Sequence, residues 1–164
     1  MDIVVTLKQT FDTETKISIS DGKINDAGVK LVINPYDEFA IEEALKLKEE
    51  FGGEVTLVSV GGPGVETALR TGLAMGADKA VLVSNPDLTV VDEVVVAEIL
   101  AKAISDLPYD IILSGRIDTD YQASQVAVAL HHPQFPIPNQ SKSRSRHHHH
   151  PQNLSQSRKQ DVRN

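Results

Sequence analysis

Short apolar runs alternate with amphipathic segments along the first 130 residues of the chain. Four of the runs are rich in β-branched residues and have the length of buried strands in a parallel sheet; they cover residues 2–7, 54–60, 79–83 and 110–113. Three segments between them repeat apolar residues at helical spacing; they cover residues 35–51, 65–75 and 90–104. Strands that alternate with helices in this way predict right-handed crossovers and a parallel sheet with helices on both faces. The expected fold is therefore α/β, with a doubly wound parallel sheet.

The first of these helices carries recognisable signals at both ends. Asn34 is a residue type that caps helices, Pro35 suits the first helical position, and Asp37 lies beside the positive end of the helix dipole. Gly52-Gly53 follows the last apolar residue. We therefore predict a helix that begins after Asn34, is capped by its side chain, and ends before the two glycines.

Two local signals modify the alternating pattern. Residues 15–20 alternate between polar and apolar positions, and Asp21-Gly22 suits a tight turn, so a small hairpin is expected to interrupt the first crossover at the edge of the sheet. Thr89 and Asp92 have the spacing of a capping box ahead of the third long helix.

Ligands of doubly wound sheets bind beyond the carboxyl ends of the strands, which selects the turns at residues 6–10, 60–64 and 115–126. The glycine-rich turn at 61–64 can bring backbone amides close to an anion at a helix N-terminus. Its spacing matches neither the dinucleotide fingerprint nor the Walker pattern. A tight strand-to-helix turn is the favoured interpretation of these glycines.

Residues 116–125 are polar and offer hydrogen-bond donors to a phosphate or a ribose. Asp118 and Asp120 can be interpreted as an acid/base pair or as ligands of Mg²⁺, but no nucleophile or third ligand lies nearby. Capping and turn roles are the favoured interpretation of both carboxylates.

The composition changes abruptly after residue 130. Residues 1–130 hold 10 Lys and Arg against 22 Asp and Glu, whereas residues 131–164 hold 6 against 1. The second segment has few bulky apolar side chains, so it cannot offset an ordering entropy of roughly 1–2 kcal/mol per residue. We expect a folded domain over residues 1–130 and a disordered, basic tail rich in His, Ser and Gln over residues 131–164.

The tail contains two patterns that resemble binding sites. His147–His150 can bind Ni²⁺ or Zn²⁺ loosely, but a compositional accident is favoured because no fixed ligand shell surrounds them. Residues 141–146 are basic, yet they lack interleaved aromatic residues and follow an acidic domain. Neither a metal site nor nucleic-acid binding is expected.

The residue types present also limit the chemistry of the chain. There is no cysteine, all six histidines follow residue 130, and no Gly-x-Ser-x-Gly elbow occurs. Catalysis by the chain's own side chains is therefore not expected. The sequence has no apolar stretch of about 18 residues and no secretory signal, so a cytoplasmic location without a membrane span is expected.

Several of these segments closely resemble the β subunit of electron transfer flavoproteins. The most specific are Asn-Pro-Tyr-Asp-Glu-Phe-Ala at residues 34–40 and Ala-Met-Gly-Ala-Asp at residues 74–78. The full resemblance is carried by residues 4–9, 33–45, 53–59, 68–80 and 109–116. It implies a Rossmann-like fold of the adenine-nucleotide-binding type.

The resemblance also implies a non-catalytic subunit of a flavin electron shuttle. In that family an α subunit holds most of the FAD, and the β subunit closes against it and buries an AMP, which electron-bifurcating relatives replace with a second FAD. Acyl-CoA dehydrogenases or other flavin dehydrogenases donate the electrons. The positions that match the family's nucleotide neighbourhood are Thr6, Asn34, Val60, Gly61, Asp120, Ser124, Gln125 and Val126.

The chain departs from the family pattern in two ways. Tyr121 replaces a glycine of the usual motif, and the resemblance stops near Leu130, whereas family β subunits continue with further strands and a C-terminal arm. We therefore expect a truncated or frameshifted reading frame. Two alternatives are a free-standing nucleotide-binding sensor module and a non-functional truncated product.

Overall fold

The computed structural model describes residues 1–16, 18–20, 23–25, 29–62, 64–84 and 93–117. In chain order its elements are β1 (Asp2–Thr6), β2 (Gln9–Phe11), β3 (Ser18–Ser20), β4 (Lys23–Asn25), β5 (Leu31–Ile33), α1 (Pro35–Phe51), β6 (Glu54–Gly61), α2 (Val65–Met75), β7 (Lys79–Ser84), α3 (Glu93–Ser105) and β8 (Ile111–Ser114). Within these ranges no helix is both long enough and apolar enough to cross a membrane.

The four longer strands form one parallel sheet in the order β7, β6, β1, β8. Ile3 of β1 is paired with Val55 of β6 on one side and with Ile111 of β8 on the other. Along the chain, β6 and then β7 are therefore added on one side of β1. The last strand, β8, is added on the other side of β1. The predicted α/β fold with a doubly wound parallel sheet is confirmed.

Alternate residues of the central strands contact different layers of helices. Ile3 and Val5 of β1 pack with Leu57 of β6 against α1 and α2. Val4 and Val58 instead pack against α3 on the other face of the sheet. All five side chains are buried. Because side chains of a strand alternate between its two faces, an uninterrupted β-branched run supplies both layers at once.

Short antiparallel strands occupy the connection between β1 and α1. The predicted hairpin is present, since Ser18 to Ser20 of β3 pairs with Lys23 to Asn25 of β4 in antiparallel register. A second pair, β2 with β5, was not predicted from the sequence. Each of its strands has only three residues, which is too short for a periodic signal.

The ends of α1 agree with the prediction in position but not in every contact. Pro35 is the first residue of the helix, and the N–H of Gly52 donates to Lys48 O at its end. Asn34 occupies the N-cap position, but its side chain makes no capping hydrogen bond, so that part of the prediction is wrong. Its amide instead donates to the carbonyl of Ile117, 3.0 Å away. The proposed capping pair Thr89 and Asp92 lies outside the described residues.

Two aspartates fix the register of strands at the amino edge of the sheet. Asp78 lies directly before β7; its N–H donates to Val55 O at 2.9 Å, and its carboxylate accepts the N–H of Val55 at 2.8 Å. Asp110 lies directly before β8 and exchanges the same two bonds with Asp2, at 2.7 and 2.9 Å. Each aspartate thus attaches its strand to the first residues of a neighbouring strand.

Asp78 also joins α1 to this edge. Lys48 Nζ lies 2.6 and 2.8 Å from the two carboxylate oxygens of Asp78. The hydrogen bond from Lys48, together with that from the Val55 amide, holds the pKa of Asp78 below its ordinary value. The ionised carboxylate is therefore the form that stabilises the fold.

Asp78→Asn is expected to lower the free energy of unfolding by about 1 kcal/mol near neutral pH, allowing for solvent screening of this partly exposed pair. Because the pKa of Asp78 is lowered in the folded state, the stabilisation is present above about pH 4 and is lost as the pH falls through the lowered value. Urea unfolding of both proteins between about pH 7 and pH 2 measures the difference. A difference that stays constant with pH would contradict this origin, and Asp106→Asn, at an exposed aspartate, is the control.

Ile104→Ala should destabilise the protein by about 2–5 kcal/mol, because it removes a fully buried side chain between α3 and the sheet. Val95→Ala on the same helix is the matched control, since Val95 is 41% exposed and its truncation should change stability by less than about 0.5 kcal/mol. Chemical denaturation gives both values. Equal losses in the two variants would show that α3 is not held by Ile104.

Candidate functional site

The ends of the parallel strands bring several turns to one edge of the molecule. We call this the carboxyl edge, formed by the C-terminal ends of β1, β6, β7 and β8. Thr6, the last residue of β1, is paired with Val58 of β6 and with Ser114 of β8. The order in which strands were added reverses between β1 and β8, and such a switch point is where doubly wound sheets bind ligands.

The start of α1 lies over this switch point. The backbone N–H of Asn34 donates to Lys8 O at 3.0 Å, and its side-chain amide donates to Ile117 O at 3.0 Å. Lys8 belongs to the turn after β1, whereas Ile117 follows β8. Asn34 is completely buried between them. Asn34 therefore links the two segments that flank the switch point, one through its backbone and the other through the side chain that was predicted to cap the helix.

Asp37, in the first turn of α1, makes a second link between the same segments. One carboxylate oxygen accepts the N–H of Lys8 at 2.9 Å, and the other accepts the N–H of Gly115 at 3.0 Å. The side chain is only 3% exposed. Two backbone donors and the positive end of the α1 dipole surround this buried charge. We call this arrangement the carboxylate bridge.

Gly115 has no room for a side chain beside this bridge. A Cβ atom at this position would collide with the Asp37 carboxylate and would lie 2.9 Å from the carbonyl carbon of Tyr36. Glycine therefore allows the turn after β8 to approach the first turn of α1 closely enough for the hydrogen bond to form.

The glycine-rich turn after β6 lies at the same edge. A Cβ on Gly61 would lie 2.6 Å from Val65 Cγ2, so the turn into α2 is tight, in agreement with the favoured interpretation. The side chain of Gln9 donates to Gly64 O at 2.9 Å and ties this turn to β2. Ser59 of β6 contacts the segment after β1, because its Oγ donates to Leu7 O at 2.7 Å.

Four of the eight positions predicted to surround a nucleotide lie at the carboxyl edge of the described structure: Thr6, Asn34, Val60 and Gly61. The other four, Asp120, Ser124, Gln125 and Val126, lie outside the described residues, as do Asp118 and the tail. Thr6 is buried like Asn34, whereas Val60 and Gly61 are partly exposed.

Sequence reasoning missed the bridging role of Asp37. An acidic residue in the first turn of a helix is ordinary dipole chemistry, so its type and position gave no reason to expect a long-range contact. The glycine directly after β8 was the available signal, because a glycine at a strand end can mark a close backbone approach. The described residues contain no group of three or more residues able to hold a metal ion.

Comparison with known families agrees with this geometry. The electron transfer flavoprotein domain matches residues 21–135 of the chain. The electron transfer flavoprotein subunit beta of Bacillus subtilis strain 168 is 48% identical over 131 residues, which cover 79% of this chain and 51% of the relative. The subunit beta of Syntrophomonas wolfei is 48% identical over 127 residues, covering 77% of this chain and 50% of the relative.

A third relative has a different name. The acryloyl-CoA reductase electron transfer subunit gamma of Anaerotignum propionicum is 41% identical over 130 residues, covering 77% of this chain and 49% of the relative. The chain thus spans about half the length of the curated relatives it matches. Because the domain match extends over most of its residues, the chain belongs to the electron transfer flavoprotein family.

Proposed function

We propose that the chain acts as a β-type subunit of an electron transfer flavoprotein, binds an adenine nucleotide at the carboxyl edge, and pairs with an α subunit that holds FAD. The observation that carries this proposal is the switch point between β1 and β8, which is bordered by Thr6 and by the start of α1. The position agrees with the general rule for ligand sites in doubly wound sheets.

The nucleotide-contacting residues in this proposal are those already named: Thr6, Asn34, Val60, Gly61, Asp120, Ser124, Gln125 and Val126. The electrostatics of the described part favour one orientation. Asp37 already places a negative charge at the N-terminus of α1, so this helix end suits the uncharged adenosine part better than a phosphate.

The chain itself carries out no bond-making chemistry in this proposal. A flavin supplies the redox chemistry when it is bound, and the protein provides position and electrostatic field. The residues at the carboxyl edge hold a nucleotide and exclude water from it. The nucleotide is AMP, or an FAD that occupies the AMP position. The carrier exchanges electrons with acyl-CoA or other flavin dehydrogenases. The name of the Anaerotignum propionicum relative, an acryloyl-CoA reductase electron transfer subunit, supports a partner that acts on acyl-CoA compounds.

Co-expression with a cognate α subunit tests the proposal. We expect the two chains to co-purify with bound flavin, detected by its visible absorbance, and AMP to be released on denaturation and identified by chromatography. The α subunit expressed alone is the control, and the dissociation constant of its flavin should fall at least about tenfold in the presence of this chain, equivalent to about 1.4 kcal/mol. Absence of both co-purification and added flavin retention would contradict a working subunit.

Calorimetric titration of the isolated chain with AMP, ATP and FAD distinguishes the alternatives. Saturable binding without the α subunit, combined with failure to pair, would favour a free-standing nucleotide-binding module. A soluble chain with one cooperative thermal transition would exclude the other alternative, a truncated product that is non-functional because it misfolds.

A further inference from the structure

We propose that Asp37 is a positioning residue that sets the separation of the two segments flanking the switch point, and thereby controls nucleotide affinity without contacting the nucleotide. This inference rests on the proposed function, because it concerns the same site. It adds a role for a residue that is not among the eight nucleotide positions.

The sheet alone does not hold these two segments together. The ladder between β1 and β8 has its last pair at Thr6 and Ser114. Directly after it, the N–H of Leu7 donates to Val58 O at 3.1 Å, so this amide continues the ladder with β6 and not with β8. No pair of the β1–β8 ladder is therefore formed by the residues that follow Thr6 and Ser114. The carboxylate bridge joins Lys8 to Gly115 beyond the last pair of this ladder.

The geometry also argues against direct contact between Asp37 and a ligand. Each of its oxygens already accepts a backbone N–H, and the side chain is 3% exposed. The backbone of Gly115 stands close enough to exclude even a methyl group. A carboxylate in this position acts on a ligand only through the segments that it holds.

Asp37→Asn is the informative substitution because it keeps the size of the side chain. The amide retains one acceptor oxygen, but its NH₂ group faces the second backbone N–H, and two donors cannot pair. One of the two segments must then shift. We expect nucleotide affinity in the complex with the α subunit to fall about tenfold, equivalent to about 1.4 kcal/mol. Asp37→Ala, which removes both acceptors, should lose more.

Two matched controls separate positioning from charge and from stability. Glu38→Gln removes an exposed negative charge from the same first turn of α1, without touching either segment. Asp78→Asn removes a carboxylate that accepts a backbone amide at the opposite edge of the sheet. Both should leave affinity within about twofold of the wild type, less than about 0.5 kcal/mol. Equal losses in Asp37→Asn and Asp78→Asn would overturn the proposal, because the effect would then follow stability alone.

A measurement on the nucleotide-free chain distinguishes failure of this inference from failure of the proposed function. Amide hydrogen exchange should accelerate at least tenfold in Asp37→Asn at whichever of Lys8 and Gly115 loses its acceptor, and should not change at either amide in Glu38→Gln. If the wild-type complex binds no nucleotide, the proposed function fails while this exchange result still reports on the bridge. Unchanged exchange at both amides would overturn the bridge itself.

A further test uses the wild-type chain, so it does not depend on whether a variant folds. If the bridge and the nucleotide are coupled, linkage requires that bound nucleotide stabilise the bridge by the same factor. Saturation with AMP, in complex with the α subunit, should slow exchange at Lys8 and Gly115 by about tenfold. Binding of AMP with no change at these two amides, or Asp37→Asn with wild-type affinity, would show that Asp37 does not position the site.

Discussion

The buried carboxylate of Asp37 is the contact on which the geometry of the carboxyl edge depends. A parallel sheet aligns its strands only as far as its ladder extends, and the turns beyond the ladder need other constraints. Here one side chain from α1 accepts backbone donors from the turns after β1 and after β8. A charged group at this depth is stabilised by those donors and by the helix end on which it lies. Asn34 also connects the same segments, because its backbone N–H donates to Lys8 O and its side-chain amide donates to Ile117 O.

At both edges of the sheet, aspartate carboxylates accept hydrogen bonds from backbone N–H groups, but the structural effect differs between the edges. At the amino edge, Asp78 and Asp110 each exchange two hydrogen bonds with the first residues of a neighbouring strand, and so define register. At the carboxyl edge, Asp37 joins segments that are not paired as strands. The contacts of Asp78 and Asp110 therefore align the strands, whereas the contacts of Asp37 position the turns beyond the ends of the strands.

Local patterns in the sequence were sufficient for most of the fold. The β-branched runs predicted β1 and β6 because burial on both faces leaves no room for polar interruption. The glycines after Phe51 predicted the end of α1 because they lie where helical hydrogen bonding stops. The strands β2 and β5 could not be predicted, since three residues do not establish a period. Asn34 was misassigned as a cap because its actual acceptor, Ile117, lies 83 residues further along the chain.

The placement of Asp78 and Asp110 has a consequence for how this fold tolerates change. Both residues directly precede the strand that they anchor, so strand alignment is encoded beside the strand and not in the helix-to-strand connection. Connections upstream of either aspartate can therefore gain or lose residues over evolution without sliding the sheet out of alignment. An insertion between the aspartate and its strand would change the alignment of that strand with its neighbour.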